Sequence, residues 1–254
     1  RDAPADILDV YRQALDNPQD SPPLRELVHP GERVLITVSD ITRGWQRNDR
    51  LLPTLLDYLN SAGISDRDIT IVIAVGAHRL NTHEEFVELC GEQACHRVTV
   101  VNHDCRDYDR MDYYGRTSRG TEVLINRLVR EHDRLITTGG ITYHHAVGYA
   151  GGRKSIMPGI SSLKTIQQCH MWCFNSTVGA GAGPMVDCGI THGNPAHEDM
   201  MEVAAFSPPT FIINMVPNFQ GDSCAVFAGN WISAWWRGVA LVEEMYGVPI
   251  QEPA

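Results

Sequence analysis

The chain has 254 residues, 43% of them hydrophobic and 20% charged, with 31 acidic against 21 lysine and arginine side chains for a formal net charge of -10. That length carries a substantial core in one large domain or two small ones. The acidic balance argues against nucleic acid or an anionic membrane as a main partner, since both require clustered basic surface. An anionic small substrate stays open, because a few local cations outweigh a global field. No run of about 18 apolar residues is present to form a membrane-spanning helix. The opening Arg-Asp-Ala-Pro-Ala-Asp lacks the regions of a signal peptide. The seven cysteines are scattered and form no C-x-x-C pair, so free thiols and a cytoplasmic location are expected.

Residues 5–17 show helical spacing, with Ile7, Val10, Tyr11 and Leu15 on one face, and Asn17-Pro18 ends the pattern. The β-branched run 33–39 reads as a buried strand. Residues 48–62 read as a helix that turns Leu51, Leu52, Leu55, Leu56 and Leu59 inward and stops at Gly63. A second strand is expected over 69–75, followed by a helix that opens on the capping box Thr82 to Glu85. Strands are expected again over 97–101, 122–125 and 133–137, with a helical stretch through Arg130 between the last two. Beyond these come a flexible connector at 179–184, a helix over 198–205, strands over 210–216 and 225–228, and a helix over 231–246. The final residues, 247–254, read as a linker. Strands alternating with helices predict an α/β fold, Rossmann-like, with a mainly parallel sheet and helices on both faces.

In such sheets ligands bind beyond the carboxyl ends of the strands. Polar chemistry falls at three of these ends: Asp40 to Arg43, His78, and His144 with His145. Between Gly139 and His170 the chain packs Gly139-Gly140, the two adjacent histidines, Gly151-Gly152-Arg153-Lys154, Pro158-Gly159 and a third histidine. Glycine lets backbone approach a ligand closely, lysine holds an anion or forms a covalent link, and imidazole moves protons or binds metal. The stretch reads as an active site. Cys169 and Cys173 flank His170 like half of a zinc site, but no second half follows.

Taken in order, Ser39 to Arg43, Gly76 to Arg79 with Glu84-Glu85, Val101 to Asp104, His144 to Lys154, Pro158-Gly159 to His170, and Gly193 to Asp199 resemble the lactate racemase family of nickel-pincer enzymes. The resemblance implies a racemase or epimerase of a small 2-hydroxy acid, and a cofactor-binding N-terminal domain whose C-terminal companion lies outside this chain. It implies a nickel-pincer pyridinium mononucleotide as cofactor, supplied by cofactor-biosynthesis proteins. By residue, it makes Lys154 the attachment point, His170 the nickel ligand, and His78 and His144 the paired acid/base histidines. Asp40, Thr42, Arg43, Gly151 and Gly152 join Lys154 as cofactor-binding, with Arg43 also placed to hold a substrate carboxylate. Tyr143 stands where the family usually has proline, and His145 offers a second imidazole, so either His144 or His145 fits the second base.

Racemising a 2-hydroxy acid by removing its weakly acidic α-proton is hard. Hydride removal with loss of the hydroxyl proton instead gives a planar keto acid, to which hydride returns on either face. Imidazole, with its near-neutral pKa, suits the proton transfer. From the residues alone, two further readings stand: a zinc- or iron-dependent hydrolase or lyase built on the same histidines, and a non-catalytic nucleotide-binding module. His103 with Asp104 is expected to orient a loop, His197 to be structural, and the tryptophans of the last helix to pack.

Overall fold

The computed structural model describes residues 2–248. Its elements, in chain order, are α1 (Ile7–Asp16), α2 (Leu24–Leu27), β1 (Val34–Ser39), α3 (Asn48–Ser61), β2 (Ile69–Ala74), α4 (His83–Cys90), α5 (Glu92–Arg97) and β3 (Thr99–Asn102). Next come β4 (Met111–Arg116), β5 (Glu122–Asn126), α6 (Leu128–Glu131), β6 (Arg134–Gly140), β7 (Tyr143–His144) and β8 (Gly148–Tyr149). The chain finishes with α7 (Leu163–Met171), α8 (Pro195–Ala205), β9 (Phe211–Pro217), β10 (Ser223–Gly229) and α9 (Ser233–Tyr246). The central sheet has six strands in the order β10-β9-β6-β1-β2-β3. All neighbours run parallel except β9 with β10. This is the α/β architecture expected from the strand–helix alternation.

Side-chain alternation along each strand divides the interior into two faces. Val34, Ile36 and Val38 of β1, Ile69, Ile71 and Ile73 of β2, and Phe211, Ile213 and Met215 of β9 share one cluster with the leucines of α3 and with Tyr11 and Leu15 of α1. The intervening Leu35 and Val72 turn to the other face, onto Ile166 of α7 and Met200 of α8. Ile212 and Val216 likewise turn away to meet Trp235, Val239 and Val242 of α9. Each fully buried aliphatic side chain contributes roughly 1.5–3 kcal/mol, so the two faces give this sheet only one workable register.

The helix starts follow their capping signals. Asp6 accepts from the Leu8 amide at 2.8 Å to open α1, and Thr82 and Glu85 close the expected capping box on α4. Asn194 caps α8 with Pro195 behind it, three residues earlier than expected. Two larger differences have physical reasons. The strand at Glu122–Asn126 does not join the main sheet; it pairs antiparallel with β4, which its mixed polar sequence hid. The other concerns the glycine run at 179–184, expected as a flexible connector. It lies in a turn where Phe174 bridges Ala182, and the Asn175 amide donates to Gly181 at 2.9 Å. Of the expected linker, residues 249–254 lie outside the described residues.

His103 is fully buried behind β3. Its Nε2 lies 2.9 Å from the Ser161 carbonyl and its Nδ1 lies 3.0 Å from Asn126 Nδ2. It thus orients the segment after Pro158-Gly159, as expected of a structural histidine. Burial pushes its pKa down from 6.5 to about 4. The folded form therefore stays neutral where the unfolded chain takes up a proton, and stability falls as pH drops below 6.5. Urea midpoints should decline between pH 6.5 and 5, and His103→Gln, which cannot titrate, should show a shallower decline. Equal slopes for the two proteins would contradict this role.

Candidate functional site

The strand order reverses at β1. Its next parallel neighbours in sequence, β2 and β3, lie to one side, while β6 and β9 lie to the other. Loops leaving β1 and β6 must then diverge and open a crevice between them. A cleft of about 650 Å³ occupies that position. Its lining includes Asp40, Thr42 and Arg43 after β1, His78 after β2, Gly139 and Gly140 at the end of β6, His144 and His145, Gly151, Lys154 and His170. Eight of the nine residues singled out from sequence therefore face one space. The exception is Gly152, which does not line the cleft. It sits beneath it, with its amide donating to Asn214 Oδ1 at 3.0 Å, and a Cβ there would lie 2.7 Å from the Trp235 ring.

Local structure positions each group. The buried Asp40 carboxylate accepts from Thr42 Oγ1 at 2.6 Å through one oxygen, and its other oxygen lies 2.5 Å from His78 Nδ1. Arg43 does not pair with Asp40; it donates to Thr42 Oγ1 and the Thr42 carbonyl, both at 3.1 Å. The His78 loop is fixed by Glu85, which receives both Nη groups of Arg79, Asn81 Nδ2 and the Thr82 amide. Gly76 donates from its amide to the Gly159 carbonyl at 3.0 Å, tying this loop to the Pro158-Gly159 turn.

His144 belongs to the short β7–β8 hairpin. The Ala146 amide donates to its Nδ1 at 3.2 Å, and its Nε2 lies 3.2 Å from Lys154 Nζ. His145 is exposed and stacks on the His144 ring, with centroids 4.5 Å apart. Of the two, His144 is the one engaged with Lys154. Lys154 follows Gly151, whose φ of 73° belongs to the left-handed region and whose Cβ would lie 2.6 Å from Asn214 Oδ1. Only glycine fits that corner.

The electrostatics are set by burial. Behind Lys154 lies Arg153, fully buried, with Nη2 bonded to the Val147 carbonyl at 2.8 Å and to His197 Nδ1 at 3.0 Å. Its guanidinium carbon is 4.4 Å from the Trp235 ring centroid. Its Nε and Nη1 find no acceptor. Desolvation lowers the Arg153 pKa to about 9. Lys154 keeps a strip of surface toward the cleft, yet desolvation, reinforced by Arg153 and Arg43, lowers its ammonium to about 7. Desolvation and then Lys154 push His144 down to about 3, and the same two causes lower His170. An amine that is substantially unprotonated near neutral pH is a nucleophile or a proton acceptor.

Sequence reasoning did not reach Arg153 as a buried cation or the Asp40–His78 contact; Cys173, noted beside His170, does lie on the cleft wall. Among the described residues no three His, Cys, Asp or Glu side chains converge to hold a metal ion. A metal held here by His170 must bring other donors with it. A donor set of one imidazole, a buried amine and an open apolar cleft fits a metal carried within an organic ligand. It does not fit the zinc or iron hydrolase reading, which needs a protein-built triad.

The fold is α/β, and its cleft lies at a sheet switch point, the place where ligands bind in folds of this kind. The chain belongs to the lactate racemase family: the profile of the lactate racemase N-terminal domain matches residues 3–181. It is 34% identical over 241 residues to the lactate racemase of Lactiplantibacillus plantarum, covering 95% of this chain and 55% of that protein. The lactate racemase of Thermoanaerobacterium thermosaccharolyticum is 32% identical over 237 residues, covering 93% and 54%. The solved structure of the lactate racemase apoprotein from that organism superposes with a TM-score of 0.83 at 32% identity, over 93% of this chain and 55% of that one. A Thermotoga maritima protein shares the fold, with a TM-score of 0.76 at 20% identity. The chain spans about half the length of the curated relatives it matches.

Lys154→Met tests the burial of the amine. The unfolded lysine titrates at 10.5 and the folded one at about 7, so between these values the unfolded chain holds a proton the folded chain has released. Stability conferred by release rises with pH, and below 7 the folded protein bears the full cost of a buried ammonium. The methionine variant should be more stable than the parent at pH 6.5 by up to about 4–5 kcal/mol, with the gap closing toward pH 10. A gap independent of pH would contradict the assignment.

Proposed function

We propose that this chain is the cofactor-binding half of a 2-hydroxy acid racemase or epimerase that uses a nickel-pincer pyridinium mononucleotide. The observation that carries the reading is the buried amine of Lys154, enclosed in the switch-point cleft 3.2 Å from His144 and sharing that cleft with His170. When bound, the cofactor supplies a reversible hydride acceptor. Lys154 is the residue suited to an amide-type link with it, because its amine is uncharged over a useful range. His170 offers the imidazole for the metal, and Asp40, Thr42, Arg43 and the Gly151 corner offer contacts to the remainder.

The other steps belong to the protein. Arg43 is the guanidinium on the cleft wall available to a substrate carboxylate. His78 and His144 are the imidazoles available to handle the hydroxyl proton, and the apolar lining from Val147, Ile166 and Val186 limits water at the reacting carbon. The substrate is a small 2-hydroxy acid.

Intact-mass and metal analysis of the chain produced in a host that makes the cofactor tests the reading. The expected result is one added mass that maps to Lys154, accompanied by nickel. Lys154→Ala should lose the added mass, whereas His170→Ala should keep it while losing most of the nickel. An unmodified Lys154 with bound zinc or iron in that host would overturn the proposal.

A further inference from the structure

The two cleft histidines are wired differently. Asp40 is 5% exposed and its carboxylate can only accept, so the 2.5 Å contact at His78 Nδ1 requires a proton on that nitrogen. Thr42 holds the second carboxylate oxygen and fixes its orientation. The neutral His78 ring, 56% exposed on the cleft wall, is left with its lone pair on Nε2.

At His144 the arrangement is reversed. The Ala146 amide is a donor, so Nδ1 must be the bare nitrogen and a neutral ring carries its proton on Nε2. That proton then points into the 3.2 Å contact with Lys154 Nζ, which accepts it only as a free amine. A lysine in its ammonium form has no lone pair to offer, and it would face a second donor. The downward pKa shifts of both groups agree with this pairing.

We infer that the two histidines rest in opposite tautomers, with Asp40 as the positioning residue that makes His78, and not His144, the ring ready to accept a proton. The chemical consequence rests on the racemase reading; the tautomers do not. A substrate hydroxyl would lose its proton to His78 Nε2, breaking O–H and forming N–H, and the resulting imidazolium would keep its Nδ1 proton against the Asp40 carboxylate. Once the Lys154 nitrogen is acylated its lone pair is delocalised and no longer accepts, so His144 Nε2–H is freed to meet substrate oxygen first as a hydrogen-bond donor, the role a neutral imidazole plays as an electrophile. The pair is thus unequal at rest, although a symmetric two-base scheme would treat the rings alike.

Two-bond nitrogen–proton correlation spectra of the uniformly ¹⁵N-labelled chain at about pH 8, with neither cofactor nor substrate added, read the tautomers directly. His78→Gln and His144→Gln assign the two rings. The expected result is the Nδ1–H pattern at His78 and the Nε2–H pattern at His144. Asp40→Ala should convert His78 to Nε2–H, the form free imidazole side chains prefer in water, and leave the His144 pattern unchanged. Asp40→Asn, whose amide oxygen can still accept, should retain Nδ1–H. One tautomer shared by both rings, or an Nε2–H pattern at His78 in the parent, would overturn the inference, and the parent spectrum decides even where Asp40→Ala does not fold. Opposite tautomers in a chain that never acquires mass at Lys154 would uphold this inference while removing the racemase reading, so the two fail separately.

Discussion

Two neighbouring cations, Arg153 and Lys154, are taken into this protein, and among the described residues neither forms an ion pair with a carboxylate. Water would solvate both charges far better than the interior does, so the arrangement is stable only through what replaces water. Arg153 receives a carbonyl, an imidazole nitrogen and the face of Trp235. Lys154 receives no such set. Its cheapest response is to release its proton, and Arg153 next to it favours that release. His197 follows from the same constraint: accepting from a guanidinium requires an uncharged ring, and its pKa is pushed down to about 3 by burial and then by Arg153. Burial, reinforced by the positive field of Arg153 and Arg43, lowers the pKa values of both Lys154 and His144. Stability is thereby given up in one place, where an amine instead of an ammonium is presented to the cleft.

The sheet makes that place possible. Reversal of strand order at β1 spreads the loops after β1 and β6, and the parallel arrangement sends the loops after β1, β2 and β6 out at one edge. Groups more than one hundred residues apart in sequence, Asp40 and His170 among them, reach a common cleft. The loops are then fixed by polar hubs that do not react. Glu85 gathers Arg79, Asn81 and Thr82 around the His78 turn, and buried His103 secures the segment that follows Lys154 and Pro158. At the back of the site, Asn214 on β9 carries the Gly152 amide, and α9 brings Trp235 beneath it.

Much of this was legible in the sequence because the strands announce themselves. Runs such as 33–39 and 69–75 are short, β-branched and bounded by turns, and the residues after them are polar where a core would not be. Ordered motifs supplied the rest of the site. What escaped had weak local signals. β4, with Asp112, Gly115 and Arg116, lacks apolar alternation and depends on its pairing with β5. The glycines at 179–184 read as a spacer because conformational freedom looks alike in a linker and in a tight turn. Gly152 looked like a ligand contact because it adjoins Gly151, which does line the cleft, and only packing against Trp235 separates them. The environment of Arg153 was illegible in principle, since sequence neighbours do not reveal whether a charge is solvated.

Everything proposed for the cleft depends on Lys154 being a free amine near neutral pH. Selective ¹⁵N or ¹³C labelling of lysine, with a titration of the Lys154 side-chain signal followed by NMR and assigned through Lys154→Met, measures this directly. An inflection near pH 7 is the predicted result. A Lys154 that titrates with the surface lysines, above pH 10, would mean that the ammonium is stabilised where it sits, and the proposed chemistry of the cleft would lose its foundation.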